Sequence, residues 1–363
     1  MKTGEIVLEL APGRDNPRNS EGAFVECEDG TVLFAYSRFG GGAQDDAQAD
    51  IALMRSMDGG RSFESQGILF ESGPIGVKNL MSVSFLKLGG GEIGLFYLMR
   101  KNEEDMRLVL RRSADGGRSW SDAVEATPEK GYFVVNNSRV RRLKSGRILV
   151  PAARHFTGPF DGGSEALFFI SDDDGRSFRK ARDKCALPYA NRSNTGLQEP
   201  GVEEIGPDTI WGWARTDLGR QYQMFSLDGG EHWTTPEPSI FSAPPSPMDV
   251  CRLKDGRWIV VWNPIPLYNG RTERVNGIWT GGRTPLSMAV SPDGRHFYGP
   301  LELECEPGRG YCYTALLDTR EALLMAYCAG GAEDGGCLNR LRIRRIEHSV
   351  LASALGDLPA MND

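Results

Sequence analysis

The 363-residue sequence predicts an all-β protein folded as a six-bladed β-propeller. Two observations support this prediction: a short turn motif recurs at near-regular spacing, and short apolar strands separate its copies. Internal repeats of this kind are typical of folds built from similar supersecondary units. The motif combines Ser-x-Asp with a following glycine and ends on an aromatic residue, and its copies span 56–63, 113–120, 171–178, 226–233 and, in a shortened form, 291–297.

The motif has the chemistry of a β-hairpin turn. Its serine and aspartate side chains can accept hydrogen bonds from backbone amides, its glycine supplies a positive φ, and its aromatic residue closes onto the base of the hairpin. Strands such as Ile51–Met54 and Leu108–Leu110 precede individual copies, and a further hairpin lies earlier in each repeat, as at residues 23–36. We therefore assign the motif a structural role and no catalytic one.

The repeat length predicts the number of blades. Successive motif serines are 57, 58, 55 and 65 residues apart, and four short strands in roughly 60 residues make one propeller blade. Five blades carry the motif, and the sixth is expected to combine Tyr313–Leu317, Ala322–Tyr327 and Leu341–Arg344. With Ile6–Leu10 closing the ring, residues 1–363 form a single propeller domain. The alternative is a β-sandwich with similar turns.

Composition argues against two classes of partner. The formal net charge of −7 and the pI near 5.4 oppose non-specific nucleic-acid binding, which needs a basic face. The first residues contain no apolar run of the length typical of a signal peptide, and nowhere do roughly 18 apolar residues follow one another. We therefore expect a soluble, cytoplasmic protein that binds neither nucleic acid nor membrane.

The cysteine and histidine patterns predict neither a disulfide framework nor a metal site. The seven cysteines are an odd set without a Cys-x-x-Cys pair, which favours reduced thiols. The four histidines are scattered and show no zinc-ligand spacing. We expect no cofactor.

The five turn motifs resemble the Asp-boxes, or bacterial neuraminidase repeats, of the sialidase superfamily. The resemblance covers nearly the whole chain and extends to the exo-α-sialidases of glycoside hydrolase family 33. It implies the sialidase fold, with a site near the propeller axis. Asp-boxes indicate this architecture and say little about activity, because non-catalytic propellers also carry them.

Hydrolysis of a sialic acid glycoside demands particular residues. The anomeric carbon carries a carboxylate, which arginines can clamp through paired hydrogen bonds. Because that carboxylate repels an anionic nucleophile, a tyrosine hydroxyl attacks while a glutamate takes its proton, and an acid protonates the leaving oxygen. Sialidases are the tyrosine-nucleophile exception among glycosidases.

Three arginines resemble the clamp of the family. Arg18 precedes the first inner strand, Arg215 ends a strand of the fourth blade, and Arg283 precedes the strand that leads into the fifth Asp-box. The usual Arg-Ile-Pro reads Arg-Asn-Ser here (residues 18–20), which alters the pocket wall beside the arginine. Arg38 resembles a further arginine that reaches the ring substituents of the sugar.

The same resemblance suggests the catalytic residues. Asp46, in a loop that resembles the acid/base loop of the family, is the expected general acid/base, with Asp45 as the alternative. Glu199, in a Gln-Glu-Pro segment similar to the family's Asn-Glu-Pro, is the expected base. Tyr313 aligns as the nucleophile, and Tyr311 is the alternative because period-two alternation would place both on one face.

Together these residues predict a retaining exo-α-sialidase that acts on sialylated oligosaccharides or glycoconjugates. Two alternatives remain open: a sialidase-like glycosidase for a different acidic sugar, which the altered residues 18–20 suggest, and a non-catalytic glycan-binding propeller. By blade symmetry, residues of the third blade are further candidates for substrate choice: Asn137, Ser138, Arg139, Arg154 and His155.

Overall fold

The computed structural model describes residues 3–156, 163–188, 193–267, 272–356 and 358–361. These residues form a six-bladed β-propeller, so the predicted fold class is confirmed. Each blade is an antiparallel sheet whose strands follow one another in chain order from the propeller axis outward. Two blades depart from this succession: the outer strand of blade six precedes blade one in the chain, and a small hairpin is inserted in blade five.

The first strand, β1 (Glu5–Leu10), precedes the first blade and belongs to the sixth. Blade one contains β2 (Arg18–Glu26), β3 (Val32–Phe39), β4 (Ala49–Ser56) and β5 (Glu64–Phe70), and is followed by the helix α1 (Ser72–Ile75). Blade two contains β6 (Asn79–Lys87), β7 (Ile93–Asn102), β8 (Asp105–Ser113) and β9 (Val124–Glu125). Blade three contains β10 (Phe133–Val134), β11 (Arg141–Arg142), β12 (Ile148–His155), β13 (Ser164–Ser171) and β14 (Arg179–Cys185).

Blade four contains β15 (Gln198–Gly206), β16 (Thr209–Arg215), β17 (Arg220–Ser226) and β18 (Glu237–Ser242). Blade five contains β19 (Asp249–Arg252), β20 (Trp258–Trp262), β23 (Leu286–Ser291) and β24 (Tyr298–Glu304), with a small hairpin of β21 (Arg274–Val275) and β22 (Ile278–Trp279) inserted between its second and third strands. Blade six contains β25 (Cys312–Asp318), β26 (Ala322–Cys328), β27 (Leu341–Glu347) and β1, and is followed by α2 (His348–Leu355).

Apolar side chains fill the spaces between neighbouring blades. Because side chains alternate along a strand, each blade presents apolar residues to both neighbours. In β3, Leu33 and Ala35 pack toward blade two, whereas Phe34 and Tyr36 pack toward blade six. Burial on both faces explains the near-continuous apolar runs in the strands of the sequence. In the described part of the chain, every pair of adjacent blades shares such a cluster.

The five Asp-boxes join the third strand of a blade to the fourth. In the first, Ser56 Oγ donates to Asp58 Oδ1 at 2.8 Å and accepts from the Gly60 amide at 2.9 Å. Asp58 also accepts hydrogen bonds from the Ser62 amide at 3.0 Å and the Ser62 hydroxyl at 2.6 Å. Gly60 has a φ of 82°, as the turn requires. The predicted structural role of the motif is confirmed.

Blade six has no Asp-box because its third and fourth strands are not consecutive in the chain. Its outer strand is β1, which pairs antiparallel with β27 so that Leu8 faces Ile343 and Leu10 faces Leu341. The prediction that an N-terminal strand closes the ring is confirmed. The two helices among the described residues, four and eight residues long, are too short and insufficiently apolar to cross a lipid bilayer.

Candidate active site

A cavity of about 260 Å³ lies where all six blades meet. Inner strands begin and second strands end on this face, whereas the Asp-boxes lie at the opposite ends of the blades, as the strand order dictates. The side chains lining the cavity come from sequence positions scattered between Glu21 and Leu338. Such a position at the centre of a propeller suits a ligand that several blades hold together.

Bulges in the inner strands aim side chains into this cavity. In blades one, two, four and six, the register of the inner strand shifts around one residue that has a positive φ without being glycine. A left-handed conformation costs a non-glycine residue about 1–2 kcal/mol, and a bulge redirects its side chain. These four residues all line the cavity: Glu21 (φ 57°), Ser82 (φ 54°), Glu199 (φ 47°) and Tyr313 (φ 54°).

Tyr313 and Glu199 form a hydrogen-bonded pair across the cavity. Tyr313 Oη donates to Glu199 Oε1 at 3.1 Å. Burial, together with the nearby Glu199 carboxylate, raises the pKa of Tyr313 well above its usual value. The tyrosine is therefore neutral at rest and bonded to an acceptor that can take its proton.

Arg215 holds the other oxygen of Glu199. Its Nη1 lies 2.9 Å from Glu199 Oε2, and its Nε donates to Gln198 Oε1 at 3.0 Å. The side chains of Gln198 and Arg215 face each other because these residues are register partners in β15 and β16. The ion pair fixes the Glu199 carboxylate opposite Tyr313.

Arg283 is buried on the blade-five side of Tyr313. Its guanidinium lies over the rings of Trp279 and Tyr313, at 5.0 and 5.3 Å from their centroids. Nη1 donates to Cys312 Sγ and Nη2 to the Pro245 carbonyl, both at 3.0 Å. Arg215 and Arg283 thus both line the cavity near the tyrosine, as their predicted roles require.

Arg18 is placed differently from the other two arginines. It is 1% exposed and does not line the cavity. Its Nη2 lies 2.7 Å from Glu21 Oε1, and its Nη1 contacts the Asp45 carboxylate and the Ala43 carbonyl. Its Nε donates to Ser20 Oγ at 2.9 Å. Two carboxylates of the protein thus separate the Arg18 guanidinium from the cavity.

Glu21 is a site residue that the sequence reasoning did not single out. Its Oε2 accepts a hydrogen bond from Ser82 Oγ at 2.5 Å, and its Oε1 pairs with Arg18. Desolvation by burial raises the pKa of Glu21 to about 7, although the Arg18 charge opposes this shift. Neither Glu21 nor Ser82 shows a sequence signal, because the left-handed bulge that turns them inward does not use glycine.

The two neighbouring aspartates of the β3–β4 loop point in different directions. Asp45 lines the cavity, and its backbone carbonyl accepts hydrogen bonds from Asn79 Nδ2 at 2.7 Å and Arg100 Nη1 at 3.0 Å. Desolvation would raise the pKa of the Asp45 carboxyl, but the charge and hydrogen bond of Arg18, together with the charges of Arg100 and Arg283, outweigh it and lower that pKa. The Asp46 side chain is 51% exposed, lies outside the cavity lining and pairs with Lys78 at 3.3 Å.

Two other candidate residues also lie away from the cavity. Arg38 does not line it, and its Nη2 donates to the Asp15 carbonyl at 3.4 Å. Tyr311 is fully buried in the cluster between blades five and six. The expectation that Tyr311 shares a face with Tyr313 is wrong, because the left-handed residue at 313 interrupts the alternation.

The third blade supplies a neutral histidine and a cross-blade amide. His155 lines the cavity, and burial, aided by the Arg215 charge, lowers its pKa to about 4. Asn137 Nδ2 donates to the carbonyls of Gly22 at 2.8 Å and Tyr313 at 3.1 Å, so it ties the bulges of blades one and six together. Among the described residues, no group of three or more acidic, histidine or cysteine side chains is arranged to hold a metal ion.

Comparisons with known proteins agree with this architecture. A family model described as a BNR repeat-like domain matches residues 75–325. Among solved structures, a Dyadobacter fermentans protein of unknown function is 17% identical with a TM-score of 0.69, over 94% of this chain and 99% of its own. The NanB sialidase of Streptococcus pneumoniae is 12% identical with a TM-score of 0.71, over 96% and 71%.

A leech intramolecular trans-sialidase is 14% identical with a TM-score of 0.71, over 97% of this chain and 71% of its own. No curated protein sequence matches the chain. At such low identity these structural similarities show the fold alone. Because the family model covers more than half of the sequence, the chain belongs to the BNR repeat-like domain family, and it has the sialidase-like propeller fold.

Proposed function

We propose that the protein is a retaining glycosidase of the sialidase type, which releases a terminal sialic acid from a glycoconjugate. The observation that carries this proposal is the Tyr313–Glu199 hydrogen bond of 3.1 Å inside a cavity that Arg215 and Arg283 also line. Structural neighbours that are named sialidases support it. A lectin needs cationic side chains for an acidic sugar but has no use for a tyrosine paired with a base.

The first chemical step forms a glycosyl-enzyme. Arg215 and Arg283 bind the sugar carboxylate, and Tyr313 Oη attacks the anomeric carbon while its proton passes to Glu199. The bond from the anomeric carbon to the aglycone oxygen breaks, and Asp45 gives that oxygen a proton. A neutral attacking hydroxyl avoids repulsion from the substrate carboxylate.

The second step releases the sugar with its anomeric configuration retained. Asp45, now ionised, takes a proton from a water that attacks the anomeric carbon. The bond from Tyr313 Oη to that carbon breaks, and Glu199 returns its proton to Tyr313 Oη. Asp45 is preferred over Asp46 as acid/base because it lines the cavity. The Arg283 charge helps to lower the pKa of Asp45, so a substrate carboxylate bound at Arg283 offsets that charge and raises the pKa, which favours the protonated carboxyl.

Replacement of Tyr313 tests the proposal. Tyr313→Phe removes one oxygen and with it the nucleophile, so we expect turnover of an aryl sialoside to fall by about 10³-fold or more. Tyr311→Phe is the matched control, because Tyr311 lies in the blade interface outside the cavity, and its activity should stay within a few-fold of the wild type. Unchanged turnover by Tyr313→Phe would contradict the proposal.

A related acidic sugar is a second candidate substrate. The observation that favours it is the isolation of Arg18 behind Glu21 and Asp45, which leaves two arginines facing the cavity. Assay of the wild type against a panel of aryl glycosides of different nonulosonic and ulosonic acids separates the two. Inactivity toward the whole panel would favour a glycan-binding propeller. A cytoplasmic location stays a prediction, for which cell fractionation is the test.

A further inference from the structure

Arg18 is held by the protein on every nitrogen of its guanidinium. Nε bonds Ser20, Nη1 contacts Asp45 and the Ala43 carbonyl, and Nη2 pairs with Glu21. A buried ion pair is costly to break when one partner stays behind without its counter-charge. A substrate carboxylate therefore has to compete with Glu21 and Asp45 to reach Arg18.

Both carboxylate oxygens of Glu21 have partners in the protein, so the side chain is held in contact with Arg18. One oxygen pairs with Arg18 and the other accepts the Ser82 hydroxyl at 2.5 Å. The left-handed backbone at Glu21 directs the side chain inward. The corresponding positions of blades two and three carry serine in the same conformation, Ser82 (φ 54°) and Ser138 (φ 58°). The position thus accepts a short side chain, and among the corresponding left-handed positions that the structure describes, only those of blades one and four carry a carboxylate, Glu21 and Glu199.

The charges around the cavity also oppose an additional anion beside Glu21. Glu21, Asp45 and Glu199 contribute carboxylates to its lining, whereas Arg215 and Arg283 contribute the guanidinium groups. A substrate carboxylate next to Glu21 would bring a further negative charge against a like charge. A hydroxyl or amide N–H of a ligand at the same place would instead donate a hydrogen bond to Glu21.

We propose that Glu21 is a specificity-determining residue, which withholds Arg18 from the substrate and favours a ligand that presents a hydrogen-bond donor, rather than a carboxylate oxygen, to the Arg18 side of the cavity. This inference rests on the proposed function for the placement of the sugar. The carboxylate of an acidic substrate is then held by Arg215 and Arg283 without Arg18, and a carboxamide in its place can turn its N–H toward Glu21.

Two probes separate a carboxylate from a donor at this position. The 2,3-unsaturated analogue of sialic acid carries the carboxylate, and its carboxamide replaces one oxygen with an N–H donor. Binding of each is measured by calorimetry at pH 8, above the pKa of Glu21 of about 7, where Glu21 is ionised beside Arg18, Asp45 and Glu199. In Glu21→Ser the carboxylate should bind at least about tenfold more tightly than in the wild type, while the carboxamide does not gain.

Glu21→Gln and Glu203→Gln complete the test. Glu21→Gln keeps the shape and removes the charge, so it should shift the ratio of the two affinities in the same direction by less. Glu203→Gln is the matched control, because Glu203 pairs with Arg141 at 3.1 Å outside the cavity, and it should leave the ratio unchanged. Far-ultraviolet circular dichroism checks that each variant is folded.

The outcomes distinguish this inference from the proposed function. An unchanged affinity ratio in both Glu21 variants, or no carboxylate binding by any of them, overturns the inference, since a released Arg18 should create a carboxylate site. Failure of the proposed function is detected in a different experiment, in which the wild type is inactive on every glycoside of the panel. If the wild type is inactive on the panel but Glu21→Ser binds the carboxylate more tightly, the role of Glu21 is supported and the proposed glycosidase activity is contradicted.

Discussion

Tyr313 and Glu199 meet because each occupies a left-handed position in a bulged inner strand. In a regular strand, alternate side chains would point into the interfaces with neighbouring blades, as Tyr311 does. The bulge turns the side chain toward the axis at a cost of about 1–2 kcal/mol for each residue. Strain of this kind is concentrated at functional sites, and here five blades carry it, since Ser138 of blade three is also left-handed.

The two loop aspartates give a residue-scale prediction. Asp45→Asn removes the carboxyl that lines the cavity, so kcat for a sialoside with an alkyl leaving group should fall by about 10²-fold or more. The loss should be smaller for an aryl sialoside, because an aryl leaving group needs less protonation. Kinetics on both substrates measure the difference.

Asp46→Asn is the control for Asp45→Asn. Asp46 pairs with Lys78 at the surface, so both substrates should be turned over within a few-fold of the wild-type rate. If Asp46→Asn shows the leaving-group dependence and Asp45→Asn does not, Asp46 is the acid/base and the loop rearranges when substrate binds.

At the residue scale, the sequence predicts the position of a site residue when strand register determines it. It does not predict the side-chain direction of a residue in a loop. Arg215 is the register partner of Gln198, the residue before Glu199, in one hairpin, so the spacing of the two motifs places Arg215 and Glu199 together. Asp45 and Asp46 are neighbours in a loop, where sequence does not fix the direction of a side chain. No sequence motif predicts that Glu21 lines the cavity, because its position depends on a backbone bulge that has no sequence signal of its own.

The Asp-box is the element whose chemistry the sequence predicts in most detail. The same serine–aspartate hydrogen bond recurs in all five copies. In two copies the tryptophan also donates to the turn, from Trp120 Nε1 to the Gly117 carbonyl and from Trp233 Nε1 to the Gly230 carbonyl. Local side-chain donors and acceptors define this turn, so sequence alone is sufficient to predict it.

The Asp-box aspartates predict acid sensitivity. Although desolvation opposes the shift, hydrogen bonds from Ser62 lower the pKa of Asp58 to about 2, and bonds from Ser177 lower that of Asp173 to about 2. A carboxyl whose pKa is lowered in the folded state stabilises the fold above its unfolded value near 4, and this stabilisation is lost as the pH falls toward 2. The free energy of unfolding should therefore decrease over this range.

Urea unfolding at pH 5, 4 and 3 tests this prediction against Asp58→Asn. Asparagine keeps the size of the side chain but does not titrate, so the variant should be less stable at pH 5 and depend less steeply on pH. Identical pH slopes for the two proteins would contradict the assigned pKa shift.

Insertions within the blades are harder to predict at the element scale. The longest spacing between motif serines, 65 residues, corresponds to blade five, where the hairpin β21–β22 enters between the second and third strands. The same insertion leads to Trp279 and Arg283 at the cavity. Its two-residue strands are too short for a periodic apolar signal, so the sequence reveals the extra length and not the hairpin.

At the scale of the whole molecule, a buried ionic network ties three blades together around the axis. Arg139 of blade three lies 2.7 Å from Asp249 of blade five, and both side chains are 1% exposed. Arg141 bridges the same aspartate, at 3.3 Å, to Glu203 of blade four, at 3.1 Å. The repeat length predicts the number of blades but not these contacts between blades three, four and five.

Asp249→Asn should destabilise the propeller strongly. The substitution leaves buried arginine charge without its partner, which typically costs 3–5 kcal/mol. Asp255→Asn is the control in the same blade: Asp255 pairs with Arg257 at the surface, and loss of an exposed pair costs about 0–1 kcal/mol. The free energy of unfolding in urea measures both, and equal losses would argue that the network does not hold the blades.

The pairing of β1 with β27 has a consequence for how the protein is made. During synthesis on the ribosome, β1 emerges before any of its partners, and β27 follows only after five blades have been translated. The pairing is among the most distant in sequence, and such non-local contacts form late and slowly. Because β1 is the outer strand of blade six, that blade lacks its fourth strand until a segment made before blade one joins one made near the end of synthesis.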